Sequence, residues 1–237
     1  MMKRLLILCF TLLSSYLSAQ NITLYSQSIP GLFQTDKQGV YDRIIQLITA
    51  QNDHFEHKVM PNNRAFRAFS NCLNCCYSPS NLNPDFYSYS EDIQSTLPFN
   101  TAKAYIISHK GGQIYSNLKQ LSGKRVGIER GINYGKAVAT ADFIPSITNS
   151  LLQNFNMMLI NRIDAMIAYA PDIHQAFKDV DAAQFQYQKG QPIAIHSDAL
   201  VCRGVEQGFI EEFNTGLKSL RNSGELQQIL GELYVAP

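Results

Sequence analysis

The chain has 237 residues, 45% hydrophobic and 16% charged, with 20 lysines and arginines against 19 aspartates and glutamates. This is the composition of a folded globular chain, not a disordered one. The near balance of charge, with no basic run carrying interleaved aromatics, argues against nucleic acid and anionic membrane surfaces as partners. Lys3 and Arg4 then precede an apolar stretch from Leu5 to Leu13, and small and polar residues follow as far as Leu17-Ser18-Ala19-Gln20. That order is the order of a secretory signal, and the apolar stretch is too short for a bilayer, which needs about 20 residues. Residues 1–19 are read as a signal cleaved near Ala19, and Gln20 stands where a lipoprotein would need cysteine. The remaining chain of about 218 residues is expected in the periplasm, with no later segment apolar enough to span a membrane.

Strand and helix signals alternate from there. Ile22 to Tyr25 alternates as a strand, and Val40, Ile44, Leu47 and Ile48 recur at helical spacing. His57 to Met60 reads as a strand stopped by Pro61, with Asn62-Asn63 capping a helix from Arg64 to about Asn71. Residues 72–96, rich in Asn, Ser, Pro and Tyr, read as irregular. Tyr105 to Ser108 and Arg125 to Ile128 read as strands, Leu118 to Leu121 as a short helix or turn, and Gly131 to Ala139 as a helix start. Leu151 to Leu159 carries a helical apolar face, Ile163 to Ala168 is a strand, Asp172 caps a helix through Phe177, and Phe185 to Tyr187 is a strand. In the tail, Phe209, Phe213, Leu217 and Leu220 share one helical face; Asn222-Ser223-Gly224 breaks it, and Leu226, Ile229, Leu230 and Leu233 form a second. Such alternation predicts α/β layers with mainly parallel sheets.

Cys9 leaves with the signal, and Cys72, Cys75, Cys76 and Cys202 stay. An even number in an oxidising compartment favours a disulfide, with three pairings open. Cys72-x-x-Cys75 also has metal or redox spacing, but no histidine lies near it and a zinc site needs two further ligands.

Three segments, in order, resemble the extracellular solute-binding proteins of the polar-amino-acid type that serve ABC importers. They are Leu118-Lys119-Gln120-Leu121-Ser122-Gly123-Lys124-Arg125-Val126-Gly127-Ile128 with Gly131 to Tyr134; Asn161-Arg162-Ile163-Asp164-Ala165-Met166-Ile167; and the tail from Phe213 through Ser223-Gly224-Glu225-Leu226 to Tyr234. The resemblance implies the two-lobed type II periplasmic binding protein fold, with two hinge crossings and solute held in the cleft. Lobe one is expected from residues 20–107 and 191–237, lobe two from 108–190, with crossings near Tyr105 to Lys110 and Tyr187 to Pro192. It implies a monomer that needs no cofactor or metal. Its partners are a small-molecule solute and an ABC permease; a membrane sensor is the alternative partner, and an enzyme on the same fold a second alternative.

Several residues are candidates for the cleft. If Gly131 to Tyr134 opens a helix, the backbone N–H groups of Ile132, Asn133 and Tyr134 would meet a carboxylate, with Arg130 adding charge-assisted contacts; the plainer reading is a tight turn at Gly127 and Gly131. Arg64, in Pro61-Asn62-Asn63-Arg64-Ala65, resembles a Pro-x-x-Arg-Ala segment of one branch and is set to hold a carboxylate by two bonds, or else is structural. Tyr25, Phe33 and Tyr105 are candidate aromatic walls, though such residues more often serve the core. Two departures stand out: residues 78–98 contain no arginine, and Tyr169 occupies the place where amino-acid binders carry an acid. Zwitterionic amino acids are therefore expected to bind weakly, and a solute with an acid group to suit Arg64 and the Gly131 helix start. The histidines, at positions 54, 57, 109, 174 and 196, form no zinc motif, and no Gly-x-Ser-x-Gly elbow is present.

Overall fold

The computed structural model describes residues 21–89 and 92–236; the expected signal, Cys9 and the cut near Ala19 lie outside the described residues. The first lobe begins with β1 (Ile22–Gln27), α1 (Val40–Thr49), β2 (Phe55–Met60), α2 (Asn62–Ser70) and β3 (Cys75–Ser80). β1 pairs in parallel with both β2 and β3, Ile22 facing Phe55 and Tyr25 facing Tyr77. After β4 (Ile93–Ser95), β5 (Asn100–His109) carries the chain across into β6 (Arg125–Glu129), α3 (Lys136–Ala139), β7 (Ile144–Thr148), α4 (Leu151–Leu159), β8 (Ala165–Ala170), α5 (Asp172–Ala176) and β9 (Phe185–Gln186). β10 (Ala194–Arg203) returns, and α6 (Gln207–Asn222) and α7 (Glu225–Leu230) finish the first lobe.

The strand order is β2-β1-β3-β10-β5-β8-β6-β7. Pairing is parallel within each lobe's βαβ units, β1 with β2 and β3, β6 with β7 and β8. It is antiparallel wherever the two long crossing strands β5 and β10 run back against their neighbours. Asn100–Ala104 of β5 pairs with Ala194–Asp198 of β10, while the far half of β10 pairs with β3. Each crossing is thus an unbroken strand.

Lobe one packs Leu24, Phe33, Tyr41 and Ile44 against Phe209, Phe213, Leu217 and Leu226. The amphipathic faces of α1, α6 and α7 supply this layer, and Gly224, at φ +78°, turns the chain between the last two helices. In lobe two, β8 alternates across its sheet: Ala165, Ile167 and Tyr169 face one cluster, and Met166, Ala168 and Ala170 the other. Ala102 and Ala104 on β5 and Ala194 on β10 already pack with lobe two. The expected crossings, 105–110 and 187–192, therefore fall on the lobe-two side of the change in packing. Gly111-Gly112 and Pro192 lie just outside the strands, β5 ending at His109 and β10 beginning at Ala194.

Other local expectations shift for identifiable reasons. The helix after β2 starts at Asn62 with Pro61 as its N-cap, earlier than Arg64. Residues 72–96 hold β3 and β4. The helix expected from Gly131 is a loop followed by the four residues of α3, because Gly131 (φ +82°) and Gly135 (φ +88°) take left-handed turns that a helix cannot continue through. Asp172 is the first residue of α5 and not its cap, which is Pro171.

Candidate binding cleft

A cleft of about 240 Å³ opens between the lobes, walled by residues of both. On the lobe-one side, α2 contributes Asn62, Asn63 and Phe66, and the ends of β1 and β3 contribute Gln27, Tyr77 and Pro79. The connection after β3 reaches over the opening with Phe86, Tyr87 and Ser88. From lobe two come Ile132 and Asn133 of the loop after β6, and Tyr169, Pro171 and Asp172 where β8 runs into α5. Ligand sites beyond the C-terminal ends of parallel strands are the general rule for α/β sheets. The crossing strand β10 adds His196 and Asp198 at the floor.

Direct bonds hold the lobes together over this cleft. The Asn62 side-chain amide donates to the Gly131 carbonyl, and the Tyr77 hydroxyl donates to Asn62 Oδ1 at 2.9 Å. Asn133 Nδ2 donates to the Phe86 carbonyl, and the Lys136 backbone N–H to the Asp85 carbonyl at 2.7 Å. Gly135 sits against the Phe86 ring, where an added Cβ would come within 3.2 Å of it. The chain is therefore in a closed arrangement, latched by the segment 85–86 and by α2.

The floor is a run of hydrogen bonds. The Tyr87 hydroxyl and His196 Nε2 are 3.2 Å apart, His196 Nδ1 lies 2.8 Å from Asp198 Oδ1, and the Tyr41 hydroxyl donates to Asp198 Oδ2 at 2.6 Å. A proton on Nδ1 satisfies both contacts of the imidazole. Asn100 completes the run by donating to the Tyr41 oxygen at 2.9 Å. Aromatic rings gather on this floor: Phe86 meets His196 edge-on at 5.0 Å, Tyr87 lies 5.8 Å and Tyr169 6.2 Å from it, and Tyr134 stacks behind Tyr169 at 5.2 Å. The Tyr169 hydroxyl donates to the Asn133 carbonyl at 2.8 Å.

A rear chamber of about 380 Å³ shares Ile29, Ile132 and Asp172 with the cleft and adds Glu129, Gly31 and Gln175. Burial pushes the Asp172 carboxyl well above its usual range, and the nearby Glu129 and Asp198 add to the shift. Burial also raises Glu129, to about 7.

Of the residues singled out from sequence, Ile132, Asn133 and Tyr169 line the cleft, and Tyr134 is buried behind Tyr169. The others do not face it. Phe33 is fully buried in the lobe-one core, edge-on to Tyr41 and His57. Tyr25 packs with Tyr77, Phe69 and Cys72. Tyr105 is buried in lobe two, its hydroxyl donating to the Lys189 carbonyl at 3.0 Å. Arg130 is exposed and donates to Asn149 at 3.2 Å. Arg64 is exposed, because the earlier start of α2 turns Asn62, Asn63 and Phe66 toward the cleft and Arg64 away. With α3 only four residues long, no helix start meets an anion at Gly131. Asp164 accepts from the Arg125 backbone and guanidinium at 2.8 and 2.7 Å, fixing the start of β8. Cys76 and Cys202 form a disulfide between β3 and β10, while Cys72 and Cys75 are free thiols. The residues that sequence reasoning missed are Asp172, Asp198, His196 and the aromatic pair Phe86-Tyr87; the tyrosine-rich stretch 77–89 was the one signal for the last.

No protein-family model matches the chain, and no curated protein matches it by sequence. Solved structures match along nearly its whole length. The GluR0 ligand-binding core from Nostoc punctiforme, in complex with L-glutamate, superposes with a TM-score of 0.70 at 12% identity, over 90% of this chain and 98% of that one. The substrate-binding protein of an amino acid ABC transporter gives 0.68 at 10% identity, over 90% and 99%. The L-cystine solute receptor of Neisseria gonorrhoeae, in its unliganded open conformation, gives 0.59 at 12% identity, over 90% and 93%. The chain shares the two-lobed fold of these solute-binding proteins.

Proposed function

We propose, from this fold and this cleft, that the protein is an exported receptor whose lobes close on a small solute, which it delivers to an ABC importer. One observation carries the reading: residues from both lobes wall a solute-sized cleft and bond to each other across its mouth. Closure and capture are then one event, since a solute between the lobes adds contacts only the closed form can make. Binding is favoured over catalysis by the neighbours of this fold, which are named as a substrate-binding protein and a solute receptor. The substrate-binding protein of an amino acid ABC transporter has the same fold, which supports delivery to an importer. Among the described residues no helix is long and apolar enough to cross a membrane.

The test is native mass spectrometry of protein recovered from the periplasm, followed by thermal unfolding with the solute returned. A bound small molecule should be released on unfolding, and at about 100 times Kd it should restore about 2.7 kcal/mol of stability. Asn62→Ala, which removes a cross-lobe bond, should weaken that effect. A protein that carries no small molecule, and that no solute stabilises, would overturn the proposal.

A further inference from the structure

The charges that line the cleft are all acidic. Among the described residues Asp172 and Asp198 are its carboxylates, and no lysine or arginine lines it. Lys178, in the rear chamber, is exposed and already donates to Gln175 at 2.7 Å. The two arginines that could have met a carboxylate, Arg64 and Arg130, lie outside. Among the neutral donors, Asn62 is committed to Gly131 and Asn133 to Phe86, which leaves Gln27, Asn63 and Ser88 as uncharged groups on the wall. A carboxylate entering here would face two acids and find no cation to pair with, only neutral donors, at a large desolvation cost.

The two acids differ. Asp198 has one oxygen on Tyr41 and the other on His196. Among the described residues the Asp172 carboxylate has no hydrogen bond to another residue, and it opens on both the cleft and the rear chamber. The rings of Phe86, Tyr87 and Tyr169 line the same cleft. Aromatic faces attract cations, most strongly when the cation is desolvated.

We propose that the solute is a small organic cation, an amine or methylated ammonium without a carboxylate, with its charge at Asp172 and its body among Phe86, Tyr87 and Tyr169. This rests on the cleft being the solute site. The raised carboxyl pKa of Asp172 agrees with it, since a cation beside that group would restore its ionised form.

Calorimetry with tyramine, tyrosine and 4-hydroxyphenylacetate varies the charge on one ring, and choline supplies the methylated cation. Tyramine or choline should bind at least ~10-fold tighter than tyrosine, and 4-hydroxyphenylacetate not at all. Asp172→Asn should weaken the amine ~10- to 100-fold, and Phe86→Leu by a few-fold. Circular dichroism checks that both variants fold. Tighter binding of tyrosine or of the acid would overturn the charge class and leave the solute-receptor reading standing. If none of the four binds, the solute released from native protein decides: a cation supports the class, a zwitterion or anion overturns it, and no released solute overturns both.

Discussion

Asn154 is fully buried on α4, and neither its amide nitrogen nor its oxygen has a hydrogen-bond partner among the described residues. It presses on the bare backbone of Gly127, where an added Cβ would lie 2.5 Å from its oxygen. A buried amide left without partners costs about 1–3 kcal/mol. Asn154→Leu, of similar size, should therefore raise stability by about 1 kcal/mol, or ~2–4 °C in Tm for a chain this long. Thermal unfolding reads it; a lower Tm would mean that the amide has a bonding role. The exposed Arg125–Asp164 pair is the opposite case, and such pairs are worth ~1 kcal/mol or less.

The disulfide between β3 and β10 joins residues separated by 126 positions. Closing a loop of that length in the unfolded chain is worth about 4–5 kcal/mol in the chain-entropy account. The double variant Cys76→Ala/Cys202→Ala should lower the denaturant midpoint accordingly, while Cys72→Ser, which touches a free thiol, should leave it nearly unchanged. The sequence foretells the helices better than these two strands. α1, α4 and α6 bury one stripe each, so their apolar residues recur at helical period. β3 reads Cys-Cys-Tyr-Ser-Pro-Ser and is buried at all six positions, so it shows neither alternation nor β-branched residues. β10 carries His196 and Asp198 among its buried residues, polar groups that look like surface until their mutual bond is seen. β7 hides behind Pro145, tolerated because β7 is an edge strand. The same limits governed the site. Ile132, Asn133 and Tyr169 follow recognisable strand ends, whereas Phe86 and Tyr87 sit on a connection whose path over the cleft no local pattern encodes. Arg64 depended on the phase of α2, which a two-residue change in its start reverses.

At the scale of the whole molecule, buried acids make stability depend on pH. Glu129 is raised by burial from 4.5 to about 7, and Asp172 moves the same way. Both keep protons in the folded state that the unfolded chain gives up. For Glu129 that stability is full below about pH 4.5 and is lost as pH rises through about 7, and Asp172 acts in the same direction. His57 opposes it: burial lowers its pKa from 6.5 to about 4, so its share is full above pH 6.5 and lost as pH falls through about 4. Glu129→Gln should raise the Tm near pH 8 and change it little near pH 4; an equal shift at both would assign the gain to packing. The division of the chain between the lobes has a further consequence, for the order of assembly. The strands β6 to β9 form one continuous stretch that precedes β10, whereas the lobe-one core draws on both ends of the chain. A chain that emerges from its N-terminus presents Cys72, Cys75 and Cys76 together, long before Cys202. If the thiols oxidise as the chain emerges, those three can meet before Cys202 does, and reaching the native bridge then calls for delay or for thiol–disulfide exchange.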